Sequence, residues 1–237
     1  MPLASPASSA PSDVAFHDWL VEEREVRRHT TRRGQPHAFE TLVPSRTALV
    51  VVDMVPFFVA ESAYCRGIVS NINALAEGLR RHGGVVAWVV PGYREPTSRD
   101  RAFLGVEVAE RYARSGGSGA PVDRIWPGLV AEPDDVAVAK TAHSAFFPGR
   151  CDLPQLLDGR GIDTVVITGT LTNVCVEASV RDASTLGYRV ILVADASAAM
   201  RDRDHNAALH VVYRSYGDVR STSEVIGLVE SGARPSS

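Results

Sequence analysis

A β-branched run, Val165-Val166-Ile167-Thr168, ends in Gly169 and a polar turn, and Cys175 follows where a helix should begin. At such a place backbone N–H groups and the positive end of the helix dipole favour thiolate over thiol, so the spacing predicts a lowered pKa and a nucleophile near neutral pH. A free cysteine is more often a small buried hydrophobe. Two further positions weigh against that reading. Asp53 closes the apolar run Ala48-Leu49-Val50-Val51-Val52, and Lys140 closes Asp135-Val136-Ala137-Val138-Ala139. All three polar residues thus stand at carboxyl ends of predicted strands, the edge where open α/β sheets bind ligands.

The elements that must position them alternate. Strands are expected at 47–53, 84–90, 135–140, 163–168, 189–194 and 218–222, and helices at 65–82, 153–159, 174–186, 203–215 and 223–230. Near-continuous Val/Ile runs mean strands buried on both faces, which predicts a doubly wound parallel sheet with helices on both sides. The connection 91–133 is too long for an ordinary loop and contains Gly116-Gly117-Ser118-Gly119, so it reads as a partly helical excursion with a flexible tip. Residues 1–12 and 231–237 have almost nothing apolar to bury and read as disordered tails around a single domain, 13–230. Within it, Phe16 to Val21 reads as part of an amphipathic helix, and the charge run Glu22 to Arg28 as a solvated face.

Composition narrows the class. With 237 residues and 45% hydrophobic content the chain can bury one sizeable core. A net charge of −3, with no basic block interleaved with aromatics, leaves no footprint for nucleic acid. No stretch approaches the roughly 20 apolar residues that cross a bilayer, and three widely spaced cysteines fit a reducing compartment, so a cytoplasmic protein is expected. There is no G-x-G-x-x-G after the first strand, no P-loop and no G-x-S-x-G elbow, which speaks against dinucleotide binding, P-loop chemistry and a serine α/β-hydrolase.

In the order Asp53, Lys140, Cys175, with Thr172-Asn173-Val174-Cys175-Val176-Glu177, Arg181-Asp182 and Ser144-Ala145-Phe146-Phe147, the chain resembles the isochorismatase-like cysteine hydrolases over about residues 45–225. That superfamily includes nicotinamidases, N-carbamoylsarcosine amidases and ureidoacrylate amidohydrolases. The resemblance implies a three-layer α/β/α fold whose six-stranded parallel sheet has the order 3-2-1-4-5-6. It implies a catalytic triad in which Cys175 attacks a carbonyl carbon, Asp53 acts as general base and then acid, and Lys140 balances their charge. It further implies a cis peptide between Thr170 and Leu171, and an oxyanion hole formed by the backbone N–H groups of Leu171 and Cys175.

Phe58, Tyr93 and Phe146 are candidates for the substrate wall, with core packing an equal alternative for each. His143 and His205 match no member of the triad and read as structural or surface groups. The metal-binding Asp/His cluster of nicotinamidases has no counterpart here, because His82 is the only histidine between Asp53 and Lys140. No metal and no cofactor are therefore expected. Val55 replaces the glutamine of the family's frequent D-x-Q start, which implies a different pocket. The expected activity is hydrolysis of a C–N bond in a small amide, ureido or cyclic-amide substrate, by a homodimer or homotetramer. Isochorismatase-type vinyl-ether hydrolysis is the alternative within enzymes, and a catalytically silent small-molecule-binding protein is the alternative outside them.

Overall fold

The computed structural model describes residues 14–233. Six parallel strands form one sheet: β1 (Thr47–Val52), β2 (Val85–Pro91), β3 (Val136–Lys140), β4 (Thr164–Thr170), β5 (Arg189–Ala198) and β6 (Asp218–Arg220). Their spatial order is β3-β2-β1-β4-β5-β6. Chain direction across the sheet reverses its order beside β1, so the carboxyl ends of β1 and β4 border the crevice in which doubly wound sheets place ligands.

Strand side chains alternate between two apolar layers, as a period of two requires. Ala48, Val50 and Val52 pack with Val176, Val180, Leu209 and Val212 on one face. Leu49 and Val51 pack with Ile72, Leu75, Val225 and Val229 on the other. The helices supplying the second layer are α4 (Val69–Arg81) and α10 (Thr222–Gly232), and those supplying the first are α8 (Glu177–Thr185) and α9 (Asp202–Ser215). α10 opens on a capping box in which Ser221 and Glu224 satisfy each other's backbone N–H groups. Because both layers are full, the sheet edge is a rigid platform for whatever stands on it.

The expected helix 65–82 is two helices, α3 (Ala63–Gly67) and α4, after a short α2 (Pro56–Val59). The connection beyond β2 contains α5 (Ser98–Leu104), started by a Thr97–Asp100 capping box, and α6 (Val106–Ala113). α7 (Leu153–Asp158) follows β3.

Two expectations for the amino-terminal region are corrected. Residues 14–22 have no regular secondary structure, and the helix, α1, spans Glu23–Arg33. The short segment is held by distant partners: the Ala15 N–H donates to the Ala63 carbonyl at 3.0 Å, and the Leu20 N–H donates to Asn206 Oδ1 at 2.9 Å. The charge run is also not uniformly solvated, since Glu25 is buried and paired with Arg28 and Arg214. At the other end, Ser231 belongs to α10, while the tail expectations for 1–12 and 234–237 lie outside the described residues.

Candidate active site

Asp53 follows β1 directly, Lys140 is the last residue of β3, and Cys175 lies in a single wide turn of π-helix, Thr172–Val176, between β4 and α8. Strand register brings these ends together: Val52 is level with Gly169, and Pro91 with Lys140. Gly169 is what lets β4 pass β1 so closely. Its φ is +107°, and a Cβ there would stand 2.2 Å from the Val52 carbonyl oxygen. Asp53 itself holds a φ of +55°, a left-handed conformation that costs a non-glycine residue energy and recurs at functional sites.

Lys140 Nζ lies 2.8 Å from Asp53 Oδ2, with both side chains almost fully buried. Lys140 also donates to the Ala142 carbonyl at 3.1 Å, whereas Asp53 Oδ1 is buried without a hydrogen-bond partner. Burial alone would lower the lysine pKa, but the Asp53 carboxylate and the neighbouring Cys175 hold it above the ordinary value. The site therefore contains a fixed ammonium and a carboxylate with one free oxygen.

The thiol stands within the field of both charges. Burial, and then the Asp53 carboxylate, push the Cys175 pKa well above the ordinary thiol range, with Lys140 opposing them. This corrects the lowered pKa expected from a helix start. Charge at a helix terminus is worth at most about 2 kcal/mol, whereas desolvating a thiolate beside a carboxylate costs more. The arrangement is thus a thiol facing a carboxylate base, not a preformed thiolate.

The turn that carries the thiol is tightly held. The Thr170–Leu171 peptide is cis, and the N–H groups of Val174 and Val176 both donate to the Leu171 carbonyl, at 3.0 and 3.2 Å. Ser179 was not singled out in the sequence, yet its hydroxyl donates to the Cys175 carbonyl at 2.7 Å and accepts from the Ala145 N–H at 2.9 Å. One buried hydroxyl so ties the Cys175 turn to the loop after Lys140. His143, in that loop, brings Nδ1 to 3.9 Å from Cys175 Sγ. Its pKa is lowered by burial and by Lys140, so at neutral pH it is an uncharged neighbour of the thiol.

The three aromatic candidates part company. Tyr93 is 60% exposed and lines a cavity of about 540 Å³ with Arg114, Gly117, Ser118, Gly119 and Arg124. Asp53, Lys140 and Cys175 are not among its lining residues; Arg124 on its wall donates to the Pro91 carbonyl at 3.0 Å, and Gly92 N–H to the Lys140 carbonyl at 2.6 Å. Phe58 is partly buried against Phe57. Phe146 is fully buried with its ring on Tyr188, which is the packing alternative for that residue. His205, read as structural, is buried too, and its Nδ1 shares a 2.9 Å hydrogen bond with Thr172 Oγ1 in the Cys175 turn. Among the described residues there is no group of three His, Cys, Asp or Glu side chains that could hold a metal ion. None of the described helices is long and apolar enough to cross a membrane.

A parallel 3-2-1-4-5-6 sheet with carboxylate, ammonium and thiol at its carboxyl edge defines a class of hydrolase. The isochorismatase domain matches residues 47–224, and the chain belongs to that family. It is 29% identical to ureidoacrylate amidohydrolase RutB of Agrobacterium fabrum over 223 residues, covering 81% of this chain and 94% of the relative. A cysteine hydrolase structure from Pseudomonas syringae pv. phaseolicola 1448A superposes with a TM-score of 0.72 at 30% identity, covering 84% of this chain and 99% of that one. N-carbamoylsarcosine amidase of Thermoplasma acidophilum superposes with a TM-score of 0.58 at 27% identity, covering 75% and 96%. Relatives of this chain thus include amidohydrolases that act on C–N bonds, alongside a probable inactive nicotinamidase of Arabidopsis thaliana.

Proposed function

We propose that this protein is a cysteine-dependent amidohydrolase that cleaves a C–N bond of a small amide, ureido or cyclic-amide substrate through a thioester. The observation that carries the reading is the buried 2.8 Å Asp53–Lys140 pair whose charges both act on the Cys175 thiol. In the first half-reaction Cys175 Sγ forms a bond to the substrate carbonyl carbon while its proton passes to Asp53. Because the resting thiol is held protonated, that transfer accompanies attack. The carbonyl oxygen becomes an oxyanion, received by the backbone N–H groups of Leu171 and Cys175. Collapse breaks the C–N bond, and Asp53 returns the proton to the leaving nitrogen.

In the second half-reaction water attacks the thioester, Asp53 takes the water proton, and the departing sulfur recovers it. Lys140 stays charged throughout. It keeps carboxylate and developing thiolate tolerable in a dry site, where Coulombic terms are strong. No step requires a metal or a cofactor. The test is a screen of small amides, carbamoyl compounds and lactams for new carboxylate, run beside Cys175→Ala. Turnover by the wild type and its loss in the variant support the reading.

We also infer a homodimer or homotetramer. Phe103 is 84% exposed and Val106 63% exposed, on the adjoining helices α5 and α6, and apolar surface of that kind is commonly covered in assemblies.

A further inference from the structure

The non-helical segment 14–22 precedes the residues that match the family, 47–224. It crosses α3, which touches the end of β4 at Thr170, and α9, which touches the Cys175 turn through Thr172. Ala15 packs on α3 so closely that a Cβ on Gly67 would stand 2.0 Å from the Ala15 carbonyl oxygen. From α3, Cys65 Sγ lies 3.3 Å from Thr170 Oγ1, at the cis peptide. Two residues further along the segment, the His17 ring lies between Tyr64 of α3 and His205 of α9, stacked at centroid distances of 4.0 and 4.2 Å.

His17 is fixed in the ring plane as well. Its Nδ1 donates to Asp202 Oδ1 at 2.7 Å, and its Nε2 accepts the Ala199 N–H at 3.0 Å. With both nitrogens engaged it has one orientation. His205 has only the Thr172 hydroxyl, at 2.9 Å, and its Nε2 is buried without a partner. A ring with a single hydrogen bond rotates unless something packs its face, and here that something is His17.

We propose that segment 14–22 is a strap whose His17 sets the orientation of His205, so that His205 acts through Thr172 as a positioning residue for the Cys175 turn. The inference rests on Cys175 being the working nucleophile, but the geometry it predicts is independent of turnover. Trp19 and Val21 of the strap pack on the apolar layer beneath α8 and α9, whereas loss of the His17 stacking alone loosens the turn, moving the thiol away from Asp53 and toward solvent. Precise placement matters at this range, because an error of about 1 Å in a catalytic group costs on the order of a hundredfold in rate.

The test reads Cys175 itself, by the rate of iodoacetamide alkylation mapped to its peptide across pH in the full chain. His205→Leu, Thr172→Val and His17→Ala should each shift the alkylation profile about one pH unit downward, which makes the thiol react about tenfold faster below its midpoint. His205→Asn places an amide nitrogen where Nδ1 was, and Thr172→Ser keeps the hydroxyl, so both should stay close to wild type. If His205→Leu fails to fold, His17→Ala and the Thr172 pair decide. Profiles that superimpose on wild type for His17→Ala and Thr172→Val overturn the proposal, as does an equal shift in all five variants. Turnover by Cys175→Ala would remove the catalytic reading and leave these profiles unaffected, so the two failures are distinguishable.

Discussion

Val52 and Gly169 stand level on adjacent strands, with the Val52 carbonyl oxygen only 2.2 Å from where a Gly169 Cβ would be. That close approach brings Asp53, one residue beyond Val52, up to the strand that leads into the Cys175 turn. Gly169→Ala combines a φ of +107° with a backbone clash, so it should destabilise the fold by about 3 kcal/mol or more and displace the turn. Gly149→Ala has a φ of +70° but open space around it, and should cost about 1 kcal/mol. Urea unfolding of the two variants checks the difference.

The buried Asp53–Lys140 pair predicts a pronounced asymmetry between conservative and disruptive changes. Lys140→Met leaves a carboxylate buried without its ammonium and should cost about 3–5 kcal/mol of stability. Asp53→Asn should retain a folded chain while activity falls by about 10²–10⁴-fold, as expected when a general base is removed. Denaturation midpoints and initial rates on the same preparations separate the two effects.

His205 gives the fold an acid sensitivity with a defined sign. Burial is the largest cause that lowers its pKa from 6.5 to about 3. Below pH 6.5 the unfolded chain therefore takes up a proton that the folded chain refuses, and stability is lost as pH falls from 6.5 toward 3. The loss should reach about 2 kcal/mol near pH 5. His205→Asn cannot titrate and should show a shallower decline over that window, measured by urea midpoints at each pH. Equal slopes in variant and wild type would contradict this.

The chemistry assigned to the site uses only side chains, backbone N–H groups and water, so prolonged dialysis against a strong chelator should leave turnover unchanged. A loss of rate restored by zinc or iron would show that ligands outside the proposed scheme take part.

Asp53, Lys140 and Cys175 were legible as candidates in the sequence because each ends or follows an apolar strand run, and a parallel sheet gathers such ends at one edge. Strand order came from resemblance, since periodicity says which segments are strands but not which are neighbours. The 14–22 segment was misread as helical because its conformation is set by partners far along the chain: His17 bonds Asp202, 185 residues away. The sign of the Cys175 shift was also out of reach. A helix start is a local pattern, whereas burial beside Asp53 is a property of the assembled site. Ser179 carried no signal of its own, being one serine among many until the fold places it between Cys175 and Ala145.

Self-association through the exposed α5–α6 surface should appear as a dimer or tetramer mass in light scattering at micromolar concentration. Phe103→Glu should shift that mass toward the monomer, and a wild-type monomer would contradict the assembly.

The central claim is that Cys175 forms a covalent acyl intermediate. It is tested most directly by intact-protein mass after rapid acid quench with a substrate found in the amide screen, followed by peptide mapping. The account predicts an acyl adduct on Cys175, none on Cys65 or Cys151, and no turnover by Cys175→Ala. Full turnover by Cys175→Ala, with no adduct on the wild type, would contradict it and mean that water attacks the amide directly.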